Sequence, residues 1–158
     1  MFRVQDGIVI EAEIQVVSQP NYQIKPILQR LGPPSEVWMW AIPEPFQGSL
    51  PTRFRLYFPE QGILLLYGTG GVRIDEEVNV CFDRRGGAIL RLWNPAIWDT
   101  EGTKGFVERA NDSSALTLEG DRPIEDVSNW NAEQFYTILT DPTRSDCLQT
   151  PADLWPAQ

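Results

Sequence analysis

Histidine is absent from this 158-residue sequence, which excludes Ser-His-Asp and Cys-His catalysis within the chain and removes the commonest zinc ligand. Cysteine occurs only twice, at Cys81 and Cys147. The pair either forms one long-range disulfide in an oxidising compartment or stays as buried thiols in a reducing one, and the sequence leaves both open. Long hydrophobic runs are missing as well: "GIVIEAEIQVV" and "GILLLYG" fall short of the ~18 residues of a membrane-spanning helix or are interrupted by charge. No transmembrane segment is expected, and the chain should be soluble. The opening "MFRVQDG" lacks the apolar core and cleavage site of a signal peptide. The expected setting is the cytosol, or export of a mature segment whose signal was trimmed. Basic side chains are scarce, 13 against 22 acidic, and the net charge of −9 repels phosphate backbones. Nucleic acid is therefore disfavoured as a partner.

Apolar and aromatic residues are plentiful. They make up 42% of the chain with six Trp, seven Phe and four Tyr, enough for the core of one domain. In "IVIEAEIQVV" the residues Ile8, Ile10, Ala12, Ile14 and Val16 alternate with Val9, Glu11, Glu13, Gln15 and Val17, the pattern of a strand with one buried face. "YQIKPILQRLG" spaces Ile24, Ile27, Leu28 and Leu31 as a short helix, with Pro26 in its first turn, Gly32 as its cap and Pro33 blocking continuation. In "TRFRLYFPEQGILLLYG" a turn over 59–62 would pair Phe58 with Ile63, Leu56 with Leu65 and Phe54 with Tyr67 on one face. "VNVCF" and "AILRLW" around "DRRGG" suggest a second hairpin, with Val78, Val80, Phe82, Ala88, Leu90 and Leu92 on one side. Residues 94–123 read as loops with one further hairpin. In "WNAEQFYTIL" Asn131 and Gln134 form a capping box and Trp130 staples onto Phe135, which predicts a helix. A proline-marked arm holding Leu148, Leu154 and Trp155 then laps over the sheet.

These elements predict an α+β fold. A single antiparallel sheet of five or six strands carries a short helix on its apolar face, with a C-terminal helix and extended arm elsewhere on the sheet. The chain is read as one domain over 1–158, with a helix-on-sheet core over 1–93 and a loop-rich extension over 94–158.

Motifs with chemistry are weak. "GTGGVR" at 68–73 lacks the spacing of a phosphate-binding loop and reads as a hairpin loop. "DEE" at 75–77 and "EGDRPIED" at 119–126 lack the arrangement of a calcium loop and read as solvated acidic turns. Arg84 and Arg85 fall in an expected turn, and Asn111 opens an N-x-S sequon. No cofactor is implied and no metal ligands or catalytic residues are assigned. The aromatic residues carry more. In "LGPPSEVWMW" the indoles of Trp38 and Trp40 share one strand face while Val37, Met39 and Ala41 take the other. Burying an indole is worth on the order of 4 kcal/mol, so this face is expected to be covered, either by the C-terminal helix and arm or by another protein. Arg55, Tyr57 and Trp93 would enlarge it into a binding strip with Trp38 and Trp40 if their strands are neighbours.

"ILQRLGPPSEVWMW" followed by "RFRLYFPEQGILLLYG" resembles the SmpA/OmlA/BamE-type small envelope lipoproteins, in which a helix ends in leucine-glycine, turns through proline and leads into antiparallel hairpins. The resemblance covers residues 24–67. It implies a non-enzymatic protein-binding module of a bacterial cell envelope. An acidic intracellular immunity or inhibitor protein is the alternative that the net charge favours, and a carboxylate-based hydrolase is the second.

Overall fold

The computed structural model describes residues 2–16, 23–41, 50–82, 86–97, 102–110, 120–144 and 147–155. In chain order its elements are β1 (Phe2–Gln5), β2 (Ile8–Val16), α1 (Ile24–Leu31), β3 (Glu36–Ala41), β4 (Leu50–Phe58), β5 (Ile63–Ile74), β6 (Glu77–Val80) and β7 (Gly87–Trp93). There follow α2 (Gly102–Ala110), β8 (Arg122–Pro123), α3 (Ile124–Val127), α4 (Ala132–Thr140), β9 (Leu148–Pro151) and a closing 3-10 turn (Ala152–Leu154). The fold is α+β. Its antiparallel sheet has nine strands among the described residues, more than the five or six expected, because β1, β8 and β9 are short and carry no long alternation.

The strand order is β1-β2-β7-β5-β4-β3-β8, with β6 joined to β5 and β9 joined to β6. Central in this array, β4 and β5 pair in the expected register, Phe58 with Ile63, Leu56 with Leu65 and Phe54 with Tyr67. The expected second hairpin does not form. Instead β6 and β7 lie end to end along the same edge of β5, residues 63–68 of β5 pairing with β7 and residues 71–74 with β6. A twelve-residue strand, roughly 40 Å long, has room for both. "GTGGVR" accordingly lies inside β5 and is no loop. A Cβ on Gly71 would sit 3.1 Å from Val78 Cγ1 and 3.2 Å from the Asn79 carbonyl oxygen, so glycine admits the close approach of β6.

Two local readings hold in detail. Helix α1 spans the expected residues and ends at Gly32, which has φ +82° and donates its N–H to the Leu28 carbonyl at 2.8 Å. Helix α4 opens with a reciprocal capping box: Gln134 N–H donates to Asn131 Oδ1 at 2.8 Å, and Asn131 N–H to Gln134 Oε1 at 2.9 Å. Trp130 and Phe135 meet edge to face with centroids 6.3 Å apart.

The larger core lies on one side of the sheet. Ile24 and Leu28 of α1, Ile124 and Val127 of α3, and Phe135, Ile138 and Leu139 of α4 close over Val37, Met39, Phe54, Leu56, Leu65 and Tyr67. The C-terminal helix thus shares the α1 side. The arm adds to the sheet as β9 and sends Leu148, Ala152 and Trp155 into the same core, so it does not lap over the tryptophan face. The opposite side holds a smaller core of Tyr57, Leu64, Leu66 and Trp93 under Phe106 and Val107. Its cover is α2, in a region expected to be loops. Arg84, Arg85 and Asn111 lie outside the described residues.

Candidate functional site

The sheet brings the five candidate binding residues to one face, as their alternation requires. Trp38 is opposite Arg55 and Trp40 opposite Arg53 across β3 and β4. Tyr57 stacks on Trp93 at 5.6 Å, and Trp93 meets Phe106 at 4.6 Å. Helix α1 is on the other side of the sheet, so the indoles do not lie beneath it.

This face is nonetheless no open strip. Tyr57 and Trp93 are buried under α2, and Arg55 is 0% exposed. The Arg55 Nε donates to Asp121 Oδ2 at 2.6 Å, while Arg53 Nη2 reaches Asp121 Oδ1 at 3.1 Å. Burial pulls the Arg55 pKa below its ordinary value, and the Asp121 carboxylate opposes that pull. Asp121, which the sequence places in a solvated acidic turn, is instead the internal counter-ion of a β4 arginine. Trp38 and Trp40 remain half-buried. Trp38 Nε1 donates to Glu36 Oε2 at 2.9 Å, and the same oxygen accepts Thr103 N–H at 3.0 Å, which ties α2 to β3. The Arg53 guanidinium carbon lies 4.8 Å from the Trp40 ring centroid. Gly120, at φ +77°, approaches so closely that a Cβ there would stand 3.0 Å from the indole. The cover is therefore the chain itself, through α2 and the 120–123 segment.

A different region is left open. Five of the eight large apolar side chains exposed among the described residues belong to the β1–β2 hairpin: Phe2 (71%), Val4 (58%), Ile8 (53%), Val9 (51%) and Ile14 (46%). Residues paired across an antiparallel ladder share a face. Phe2 pairs with Ala12, Val4 with Val9, Ala12 with Leu92, and Ile14 with Leu90. Phe2, Val4, Val9, Ala12 and Ile14 therefore form one apolar floor. It continues the helix-bearing side of the sheet, where half-buried Leu90 packs against the larger core. Ile10, skipped where the register shifts, is the extra residue of a β-bulge on β2. On the reverse of the hairpin Arg91 binds Glu11 at 2.8 Å and also pairs with Glu13. The charged pairs thus lie on the reverse of the hairpin, together with exposed Ile8, and the other four exposed apolar side chains lie on the floor. Sequence reasoning assigned the even-numbered residues of β2 to a buried face. It had no signal for the bulge, which turns Ile8 to the reverse face and brings Val9 onto the floor, or for the helix layer leaving Ile14 exposed.

Cys81 and Cys147 are joined in a disulfide that ties the end of β6 to the start of β9. Glu76, Glu77 and Asp153 line a depression of about 640 Å³ with Arg73 and Trp155, and all three carboxylates are exposed on turns or strand ends. Among the described residues no group of three or more Cys, Asp or Glu is placed to hold a metal ion, and no helix is long and apolar enough to cross a membrane. No protein-family model, curated protein or solved structure matches the chain.

Proposed function

We propose that this chain is a non-enzymatic protein-binding module of a bacterial cell envelope, and that it binds through the apolar floor of the β1–β2 hairpin. The observation that carries the reading is the one-sided exposure of Phe2, Val4, Val9 and Ile14 beside a folded core. Contiguous apolar surface of this kind on a soluble domain marks an interaction site. Two further points support the compartment. The Cys81–Cys147 disulfide persists where the surroundings are oxidising, and the resemblance at residues 24–67 is to envelope proteins. The aromatic face contributes by holding β3, β4 and α2 together, and the hairpin takes over the contact role first assigned to it.

The test places a photo-crosslinking side chain at Val9 or Ile14 in source cells, with exposed Glu133 of α4 as the control position. Adducts with another protein are expected from positions 9 and 14 but not from 133. That protein, once purified, should bind Val9→Asp at least tenfold more weakly than the unmodified chain. Equal adducts at 133, or unchanged binding by Val9→Asp, would overturn the proposal. An interaction driven by the net charge of −9, as for an immunity protein, would instead weaken steeply with salt.

A further inference from the structure

The two sides of the sheet are covered unequally. Over the larger core three helices dock Leu28, Ile124 and Phe135, each 0% exposed, with further apolar neighbours. On the reverse side the described residues of α2 contribute Phe106 and Val107. Helix α2 has nine residues, two of them glycine, and opens at Gly102 with φ +69°. A helix so short and so rich in glycine has little stability of its own and depends on its docking. Its first turn holds no acidic residue, and Glu36 of β3 supplies a carboxylate there by accepting Thr103 N–H at 3.0 Å. Docking also leaves a polar defect. Thr103 Oγ1 is buried without a hydrogen-bond partner, on a residue that is 0% exposed. Such a group disfavours the closed position, and opening α2 returns it to water.

We propose that α2 is a lid over an aromatic slot, and that a small, neutral, flat aromatic molecule binds there in place of Phe106 when the lid opens. Tyr57 and Trp93 form the slot, stacked at 5.6 Å with their planes 15° apart, and Leu64 and Leu66 complete the lining. The Phe106 ring lies 4.6 Å from the Trp93 ring at a 40° tilt, so the chain supplies an occupant of its own. That ring sets the size of the ligand, and a guest ring restores the aromatic contact with Trp93 that Phe106 gives up. The lining sets its charge. No Asp, Glu, Lys or Arg is among these four residues, and Arg55, two residues before Tyr57 on the same strand face, is already held by Asp121. An ion would lose its hydration here without gaining a partner. The open lid is then a minor conformation that the ligand makes dominant. The slot is on the opposite side of the sheet from the hairpin floor, so the two sites are separate and neither depends on the other.

The experiment adds excess indole to the full, oxidised chain and follows amide hydrogen exchange by NMR. Indole should speed exchange across residues 103–107 of α2 at least tenfold while the amides of β4 and β5 keep their rates. Phe106→Ala vacates the slot and should bind indole at least tenfold more tightly than the wild type in a chemical-shift titration. Glu36→Ala removes the tie to Thr103 and leaves every slot residue in place, and it should bind indole at least threefold more tightly. Circular dichroism confirms that each variant is folded; should neither fold, the wild-type exchange decides alone. Val9→Asp, on the hairpin floor, should leave indole binding unchanged. Wild-type exchange at 103–107 that excess indole does not alter, or a folded variant of Phe106 or Glu36 that binds no more tightly than the wild type, would overturn the inference. Loss of indole binding in Val9→Asp would put the probe on the floor and also overturn it, with the protein-binding reading left standing. Indole binding at the slot of a chain whose Val9 captures no protein would keep the lid and remove that reading.

Discussion

The β4–β5 ribbon and the β1–β2 hairpin are both antiparallel pairs rich in apolar residues, yet their surroundings are opposite. In β4–β5, Phe54, Leu56 and Leu65 lie under the helices and Tyr57, Leu64 and Leu66 lie under α2, so both faces are closed. In β1–β2 the floor residues Phe2, Val4, Val9 and Ile14 are exposed, with no helix packed over them among the described residues. Alternation in a sequence establishes which residues share a face. Whether that face is then covered depends on helices far away in the chain.

The comparison can be broken or sharpened by substitution. The largest effect is expected at the centre. Phe54→Ala removes a ring packed between Phe82 and Phe135 at 5.1 and 5.7 Å and should cost about 3–5 kcal/mol in urea unfolding. Asp121→Ala leaves the fully buried Arg55 guanidinium without its counter-ion and should also cost about 3–5 kcal/mol. A loss below ~1 kcal/mol would show that water reaches this pair and that the reverse face is open after all. Reducing the Cys81–Cys147 bond releases a loop with a sequence separation of 66 and should lower stability by about 2–4 kcal/mol, measured as the shift of the urea midpoint with and without reductant. Asn131→Ala removes the capping box of α4 and should cost about 1 kcal/mol. The smallest effect is expected at the edge: Phe2→Ala should change monomer stability by no more than ~0.5 kcal/mol, although Phe2 and Phe54 are the same residue type in the same sheet. A loss of ~2 kcal/mol or more at Phe2 would mean that the hairpin floor is covered in solution and would remove it as a docking surface.

Much of the central architecture was legible because it rests on local patterns. The β4–β5 register followed from a short turn between two alternating runs, α1 from its spacing and Gly32, and α4 from the Asn131–Gln134 box. The shared face of Trp38, Trp40, Arg55, Tyr57 and Trp93 was legible for the same reason. What covers that face was not. Helix α2 begins at Gly102 and contains Gly105, residues that favour helix poorly, and it is held by Phe106 and Val107 packing on strands distant in sequence. The Arg55–Asp121 pair spans 66 positions and has no local signature. The placement of β6 and β7 along one long β5 edge was hidden because two adjacent alternating runs look like a hairpin whether or not they pair with each other.

Hydrogen exchange, followed residue by residue on the free chain and on its complex with the protein captured through Val9, separates the two faces directly. Added protection is expected over residues 2–5 and 8–16, with α2 unchanged between the free and bound states. Protection that falls on α2 and the 120–123 segment, with the hairpin still exchanging freely, would contradict the assignment and return the binding surface to the tryptophan side.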